Sequence, residues 1–378
     1  MKSLFWEVIP ASEIENTIWD TMDDTKIKLN LDKFEEKFSQ VKKEPKKKEP
    51  EKTSAAKKKE KKSFLESERQ RLINIVLGKI RLEAVDIADA MEAYNLKILT
   101  PELCEVILPI MPTEAEIKEI SKFNGDVMEE LEVCDQFVLI ISGIVGFKER
   151  IKTILFKYHY SDDYMIFSEE IKRIFKIFKF LKEDDNLKRL FEIMLALGNY
   201  MNGGSFRGGA YGFSLNSLTK FADTKTGGFT FIDFIIKFIN EEIKEPEVLE
   251  VIKKLKKFDK MNYQSVVEGL KQMESKWKDV QALKKILNDN KDQVMEEDKS
   301  ESFLESFYDD ADKKIKEIKT ELEKIDNDYT DIVAYFGETV ENMPMNKFVE
   351  IFRKFTKDMF EANNKYNEAQ EKLKKKKK

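Results

Sequence analysis

The chain is poor in the residues that build metal, disulfide and catalytic sites. Its 378 residues include one histidine, His159, and two cysteines, Cys104 and Cys134. Zinc sites usually take four Cys or His ligands, so this composition argues against one. Two cysteines in a chain of this length are typical of a reducing cytoplasm rather than of a disulfide framework. We therefore expect no metal, no cofactor and no enzyme activity.

Glycine and proline are also scarce, at 14 and 8 residues, whereas 37% of residues are charged and 41% hydrophobic. That balance favours long helices and an all-α fold. The net charge of −5 provides no general basic field for nucleic acid. The sequence shows neither a signal peptide nor an apolar run of about 18 residues, so we expect no membrane span.

Against this background, residues 195–213 stand out, because six of the 14 glycines lie there. The apolar residues before them recur at helical spacing, and Gly198 follows the last periodic position. A glycine in a helix costs about 1 kcal/mol relative to alanine, which suggests that another group approaches it closely. With Tyr200, Phe206, Tyr211 and Phe213 around it, the stretch could form a socket for a large apolar side chain. The alternative is an ordinary helix C-terminus followed by a loop.

A phosphate-binding loop is a weaker interpretation of the same glycines. A Walker loop needs Gly-Lys-Ser/Thr at the start of a helix, and that tripeptide does not occur here.

The same stretch resembles the signature of the formin homology 2 domain. The matching residues are Gly198, Asn199, Tyr200, Met201 and Asn202, then Gly204, Ser205, Arg207, Gly208, Gly212 and Phe213. The later Asp223-Thr224-Lys225 also fits that family.

The resemblance implies a head-to-tail ring dimer built from several subdomains. Residues 1–41 resemble the lasso, which loops around the opposite subunit; packing on the chain's own core is the alternative. Residues 42–62 hold eleven lysines and four glutamates without a large apolar residue, so we expect a flexible linker. Residues 63–150 resemble the knob and residues 151–262 the post.

Helix signals fill the knob and post regions. Ser63 is predicted to cap the first helix, Thr100-Pro101 to begin another, and Thr113-Glu114-Ala115-Glu116 to form a capping box. Residues 127–144 give one helical pattern. Residues 151–180 give another, with a predicted break at residues 161–163. Residues 229–239 suggest a buried helix, although a strand fits the pattern as well.

Heptad spacing marks residues 263–340, so an antiparallel coiled-coil arm folded on itself is predicted there. Residues 341–378 are predicted to form a returning amphipathic helix, with apolar positions at Phe348, Ile351, Phe352, Phe355 and Phe360, followed by a basic tail.

The resemblance also assigns roles to individual residues. Ile75 and Lys225 match family positions that contact actin, with Arg207 as a further cation. Ile75 could instead be ordinary core. The lasso anchors are Trp6, Trp19, Phe34 and Phe38. The post residues expected to receive them are Gly198, Asn199, Tyr200, Met201, Asn202, Gly204 and Gly208.

The implied function is nucleation of actin filaments and association with their barbed ends, in the cytoplasm and at the cytoskeleton. The implied partners are actin and a second copy of the chain. Profilin would need a proline-rich segment, which this sequence lacks, and we expect the chain to be a domain of a larger protein. The alternatives are a coiled-coil scaffold without actin activity and, on glycine density alone, a nucleotide-dependent enzyme.

Overall fold

A computed structural model describes residues 63–202, 210–226 and 229–376. Helices form nearly all of the regular structure in these residues, and the prediction of an all-α fold is confirmed. The helices are α1 Ser67–Ile80, α2 Ala84–Glu92, α3 Pro101–Ile107, α4 Glu114–Ile120, α5 Val127–Glu130, α6 Val133–Ser142, α7 Phe147–Glu183, α8 Asp185–Asn202, α9 Phe231–Phe238, α10 Val251–Leu255, α11 Tyr263–Asp289, α12 Ser300–Glu305, α13 Tyr308–Tyr335 and α14 Met345–Lys376. A two-residue antiparallel hairpin, β1 Lys225–Thr226 and β2 Phe229–Thr230, precedes α9.

The described residues build two hydrophobic cores. The first core extends from Leu65 to Ile154 and joins α1–α6 to the start of α7. The second core extends from Phe156 to Ala362 and contains the other buried apolar residues that the structure describes. Helix α7 enters both cores, and its 37 residues span roughly 55 Å. Cys104 and Cys134 are free and buried in the first core.

Two predicted helix starts are confirmed at atomic detail. The Thr100 side chain accepts a hydrogen bond from the Leu103 backbone N–H, and Pro101 occupies the first helical position. Thr113 and Glu116 form the reciprocal capping box that begins α4. In addition, Arg69 donates to Glu116 at 2.7 Å, which fastens α1 to α4.

The predicted cap at Ser63 is wrong. Helix α1 begins at Ser67, and Glu66 before it makes no side-chain cap. Ser63 instead donates to the carboxylate of Asp135, 72 residues away in sequence. The single pattern at 127–144 is likewise interrupted, because Glu132 takes an extended backbone that ends α5 and precedes α6.

The predicted break at residues 161–163 is wrong, since α7 runs without interruption from Phe147 to Glu183. This stretch contains neither proline nor glycine, and tertiary contacts hold it. The Tyr160 hydroxyl donates to Asp310 at 2.9 Å, and the Lys314 ammonium donates to the Ser161 hydroxyl at 3.1 Å. Its polar residues therefore occupy the rim of a helix–helix contact rather than a turn.

The two heptad stretches form α11 and α13, and α7 lies against both. Lys152 pairs with Asp279, whereas Glu170 accepts from the backbone of Asn262, so α11 runs antiparallel to α7. The Tyr164 hydroxyl donates to Glu317, four residues after Tyr160 contacts α13, so α13 runs parallel to α7. Instead of the predicted arm of two helices, the structure has three packed helices, α7, α11 and α13.

The last helix, α14, returns to the second core as predicted. Phe348, Ile351, Phe352 and Phe355 are buried, and the Phe352 ring stacks on Phe258 at 4.7 Å between ring centroids. Phe360 is the exception, at 36% exposed. The predicted buried helix at 229–239 is confirmed as α9, apart from the short strand β2 at its start.

Candidate protein interaction site

The glycine-dense motif lies at the C-terminal end of α8, which ends at Asn202. Asn199 faces Ala210, the next residue that the structure describes after Asn202, and its amide makes two hydrogen bonds with that residue. Its Nδ2 donates to the Ala210 carbonyl, and the Ala210 N–H donates to its Oδ1, each at 2.8 Å. Asn199 thus fixes where residue 210 meets the helix.

Large apolar side chains around this helix end are unusually exposed. Tyr200 is 88% exposed, Met201 60% and Tyr211 fully exposed. Phe229 and Phe234, on β2 and α9, are each 42% exposed. Tyr200, Met201, Phe229 and Phe234 lie around one groove. Contiguous apolar exposure of this kind typically marks a surface that contacts another macromolecule.

An apolar groove of about 540 Å³ lies among these residues. Its lining residues are Leu197, Tyr200, Met201, Thr224, Phe229, Thr230, Phe231, Phe234 and Phe238. We call it the hairpin groove. It brings the Tyr200-Met201 part of the motif next to the β1–β2 hairpin, in which the backbone of Lys225 pairs with Thr230.

Hydrogen bonds anchor the start of α9, which lines the hairpin groove. Thr230 and Asp233 form a capping box that begins α9, and Lys365 of α14 donates to the Asp233 carboxylate at 3.0 Å. Burial tends to raise the pKa of Asp233, but hydrogen bonds from Thr230 and Lys365 outweigh it and hold that pKa below 3.8. The carboxylate is therefore ionised at neutral pH and keeps the hairpin and α14 together.

A second groove of about 720 Å³ adjoins α8. We call it the phenylalanine groove; its lining includes Phe191, Leu195, Tyr211, Gly212, Phe213, Tyr335 and Phe336. Glu338 ties its wall together, because its carboxylate accepts from Ser214 Oγ at 2.8 Å and from the Leu215 N–H at 3.1 Å. At 100° per residue, the positions that line the two grooves fall on opposite faces of α8.

Gly198 lies within α8 with open space beside it. A Cβ added there would meet no described atom within 4 Å. The close approach expected at this glycine is therefore not made by the described part of the chain itself.

Ile75 lies apart from the grooves, on α1 of the first core. It is 57% exposed, whereas its neighbours Ile73 and Leu77 are buried. The core interpretation of Ile75 is therefore wrong, and Leu72, at 44% exposed, extends the same apolar surface by one turn.

Several predicted site residues lie outside the described residues: Trp6, Trp19, Phe34, Phe38, Gly204, Arg207 and Gly208. The motif residues that the structure describes do come together at the end of α8. Sequence reasoning identified Tyr200, Tyr211 and Phe213, which line the grooves, and missed most of the other wall residues. Phe229, Phe234 and Phe336 carried a signal only as apolar positions of nearby helices, with nothing to indicate that they line a surface.

Within the described ranges, no group of acidic, cysteine or histidine side chains could hold a metal ion. Among the helices that the structure describes, none is long and apolar enough to cross a membrane.

Comparison with known proteins decides the family. A family model described as Formin Homology 2 Domain matches residues 1–360. The chain belongs to the Formin Homology 2 family. It is 28% identical to human formin-like protein 3, over 97% of this chain and 35% of that protein. It is 30% identical to human formin-like protein 1, over 94% of this chain and 32% of that protein. It is also 26% identical to human Disheveled-associated activator of morphogenesis 1, over 96% and 35%. The chain thus spans about a third of the length of these relatives.

Proposed function

We propose that this Formin Homology 2 chain nucleates actin filaments and stays associated with their barbed ends, in the cytoplasm and at the cytoskeleton. The match of the family model to residues 1–360 carries the proposal. Actin monomers, the filament end and a second copy of the chain are the proposed partners. No covalent chemistry is required for this activity.

The exposed Ile75 supports an actin contact on α1. Its side chain contributes little to the first core, because more than half of it faces solvent. Burying an isoleucine against a partner contributes roughly 1.5–3 kcal/mol, enough to act as an anchor in an interface.

Lys225 is the proposed second actin contact. Its backbone lies in the hairpin beside the hairpin groove. A cation at this edge would orient actin and speed its association more than raise its affinity. Arg207 is proposed as a further cation.

The two grooves support a ring dimer. We propose that Trp6 and Trp19 of one copy enter the grooves on either side of α8 of the other copy, with Phe34 and Phe38 adding apolar contact. A tryptophan buries 150–250 Å², on the order of 4–6 kcal/mol as an upper bound. The lysine-rich residues 42–62 would tether these anchors to the body.

Bulk polymerisation of pyrene-labelled actin tests the function. Ile75→Ala and Lys225→Asp should each abolish nucleation, with dimerisation and helicity retained. Val85→Ala is the matched control for Ile75, since Val85 is also an exposed apolar residue, at 45%, on a helix whose other face packs in the first core. If the wild-type chain leaves the polymerisation curve unchanged, it is a scaffold rather than an assembly factor.

Sedimentation of the Trp6→Ala/Trp19→Ala double variant tests the dimer. The variant should be monomeric, because both apolar anchors are gone. A variant that remains fully dimeric would contradict the lasso assignment.

A further inference from the structure

Asp135 holds the first described residues of the chain against the first core. Ser63 Oγ donates to Asp135 Oδ2 at 2.6 Å, and the Phe64 N–H donates to Oδ1 at 2.8 Å. The Cys134 thiol also faces Oδ2, at 3.3 Å. Leu65, the next residue, is buried in the first core at 8% exposed. We call this arrangement of residues 63–65 on Asp135 the clasp.

The clasp is sensitive to added negative charge. Asp135 is 0% exposed, and no basic side chain among the described residues forms an ion pair with it. Within the part of the chain that the structure describes, it is stabilised by hydrogen-bond donors and by its place in the first turn of α6. Among the described residues, a second anion beside this buried carboxylate would find no basic partner, and the two negative charges would repel each other.

Ser63 itself is exposed as a residue, precedes the first helix and follows a basic run. Five of the six residues 57–62 are lysine. An exposed serine after such a run has the charge pattern that attracts a kinase with an acidic substrate groove.

We propose that Ser63 is a phosphorylation site and that its phosphorylation opens the clasp. In the reaction, Ser63 Oγ bonds to the γ-phosphorus of a nucleoside triphosphate. The bond from that phosphorus to the β–γ bridging oxygen breaks, and the nucleoside diphosphate leaves. The hydroxyl proton passes to the catalytic base of the kinase.

The product removes the O–H that donates to Asp135. It also places a charge of about −1.5 to −2 where that hydroxyl lay, next to the buried carboxylate. Both changes detach residues 63–65 from Asp135 and draw Leu65 out of the first core.

Opening the clasp would lengthen the tether between lasso and body. Three released residues extend the reach of residues 42–62 by roughly 10 Å. In a ring closed by two such tethers, the two bodies could then separate further, which changes how fast actin subunits add. This consequence rests on the proposed function; the opening of the clasp does not.

Mass spectrometry and hydrogen–deuterium exchange of the full chain test the proposal. The probe is the catalytic domain of a lysine- and arginine-directed serine/threonine kinase, with ATP. Phosphate should appear at Ser63 and be absent from that position in Ser63→Ala. In the phosphorylated chain, the Phe64 and Leu65 amides should exchange about 10-fold faster or more, since a charge-assisted hydrogen bond is lost.

Ser63→Glu should reproduce the faster exchange. Ser67→Glu is the matched control, because it adds the same charge at an exposed serine in the first turn of α1, where an acidic residue is favourable. No phosphate at Ser63, or phosphate with unchanged exchange, would overturn the proposal. Failure of the unmodified chain to assemble actin would refute the proposed function and leave the exchange result standing.

Discussion

Replacing Gly198 by valine should weaken the proposed dimer without lowering the stability of the subunit. No described atom lies within 4 Å of the position that a Cβ would take. Position 198 is also inside α8, where valine is a better helix former than glycine by about 0.3 kcal/mol. The free energy of unfolding of the isolated subunit should therefore stay constant or rise slightly.

The proposed dimer should respond in the opposite way. If a partner side chain packs against the bare backbone at Gly198, the added valine overpacks that contact by about 1–3 kcal/mol. A two-fold dimer contains the contact twice, so the loss is about 2–6 kcal/mol, or about 30-fold to more than 10,000-fold in the dimer Kd.

Sedimentation at several protein concentrations measures the dimer Kd, and urea unfolding followed by circular dichroism measures the subunit. Gly78→Val is the matched control, because Gly78 also lies inside a helix with nothing within 4 Å. It should leave the dimer Kd unchanged. A Gly198→Val chain that dimerises as tightly as wild type would refute the idea that the partner covers this glycine.

Two further predictions concern the first core. Asp298→Asn should lower the free energy of unfolding by about 3–5 kcal/mol in urea titrations, because it leaves Arg150, 1% exposed, without its charged partner; a loss below about 1 kcal/mol would contradict this. Burial tends to raise the pKa of Glu116, but hydrogen bonds from Arg69 and Thr113 hold it below 4.5. Its stabilising effect is thus present above about pH 4.5 and lost as pH falls through the folded-state value. Glu116→Gln should therefore cost roughly 1 kcal/mol at pH 7, and this cost should shrink as the pH falls below the ordinary glutamate range; a difference from wild type that stays constant as the pH is lowered would be evidence against this linkage.

Sequence patterns predicted the helices correctly where caps and heptad spacing depend only on residues that are close in sequence. The capping box at Thr113 and the Thr100-Pro101 start depend on neighbouring residues alone, and both are present. The heptad positions from Val266 to Val280 are buried as their spacing indicates. Such signals need no knowledge of the rest of the chain.

The predictions from sequence were wrong where contacts between residues distant in sequence determine the local structure. Ser63 bonds a carboxylate 72 residues away, and Ser161 is held inside α7 by Lys314, 153 residues away. Gly269 shows the same limitation: it is needed because the ring of Phe167 lies against α11, and a Cβ at that position would collide with the ring. No pattern within one helix reports these contacts.

The candidate site divides in the same way. The motif at 198–202 identified the helix end, and the structure adds two grooves whose walls come from residues 211–238 and 335–338. The solvent exposure of Ile75, which the sequence does not report, distinguishes an interface residue from a core residue. Of the apolar residues on α1, Ile73 and Leu77 face inward and Ile75 faces solvent.

The arrangement of the two cores bears on how the proposed actin contacts act together. Ile75 lies on the exposed face of α1, whose buried face packs in the first core, and the backbone of Lys225 lies in the hairpin that leads into α9 of the second core. Helix α7 joins the two cores as one uninterrupted helix, and the buried Arg150–Asp298 pair fastens its start to the segment before α12. The distance between Ile75 and the hairpin is therefore set by packing within one subunit. Weakening either proposed actin contact should therefore leave the other surface folded. Shifting the start of α7 should instead disturb both contacts together.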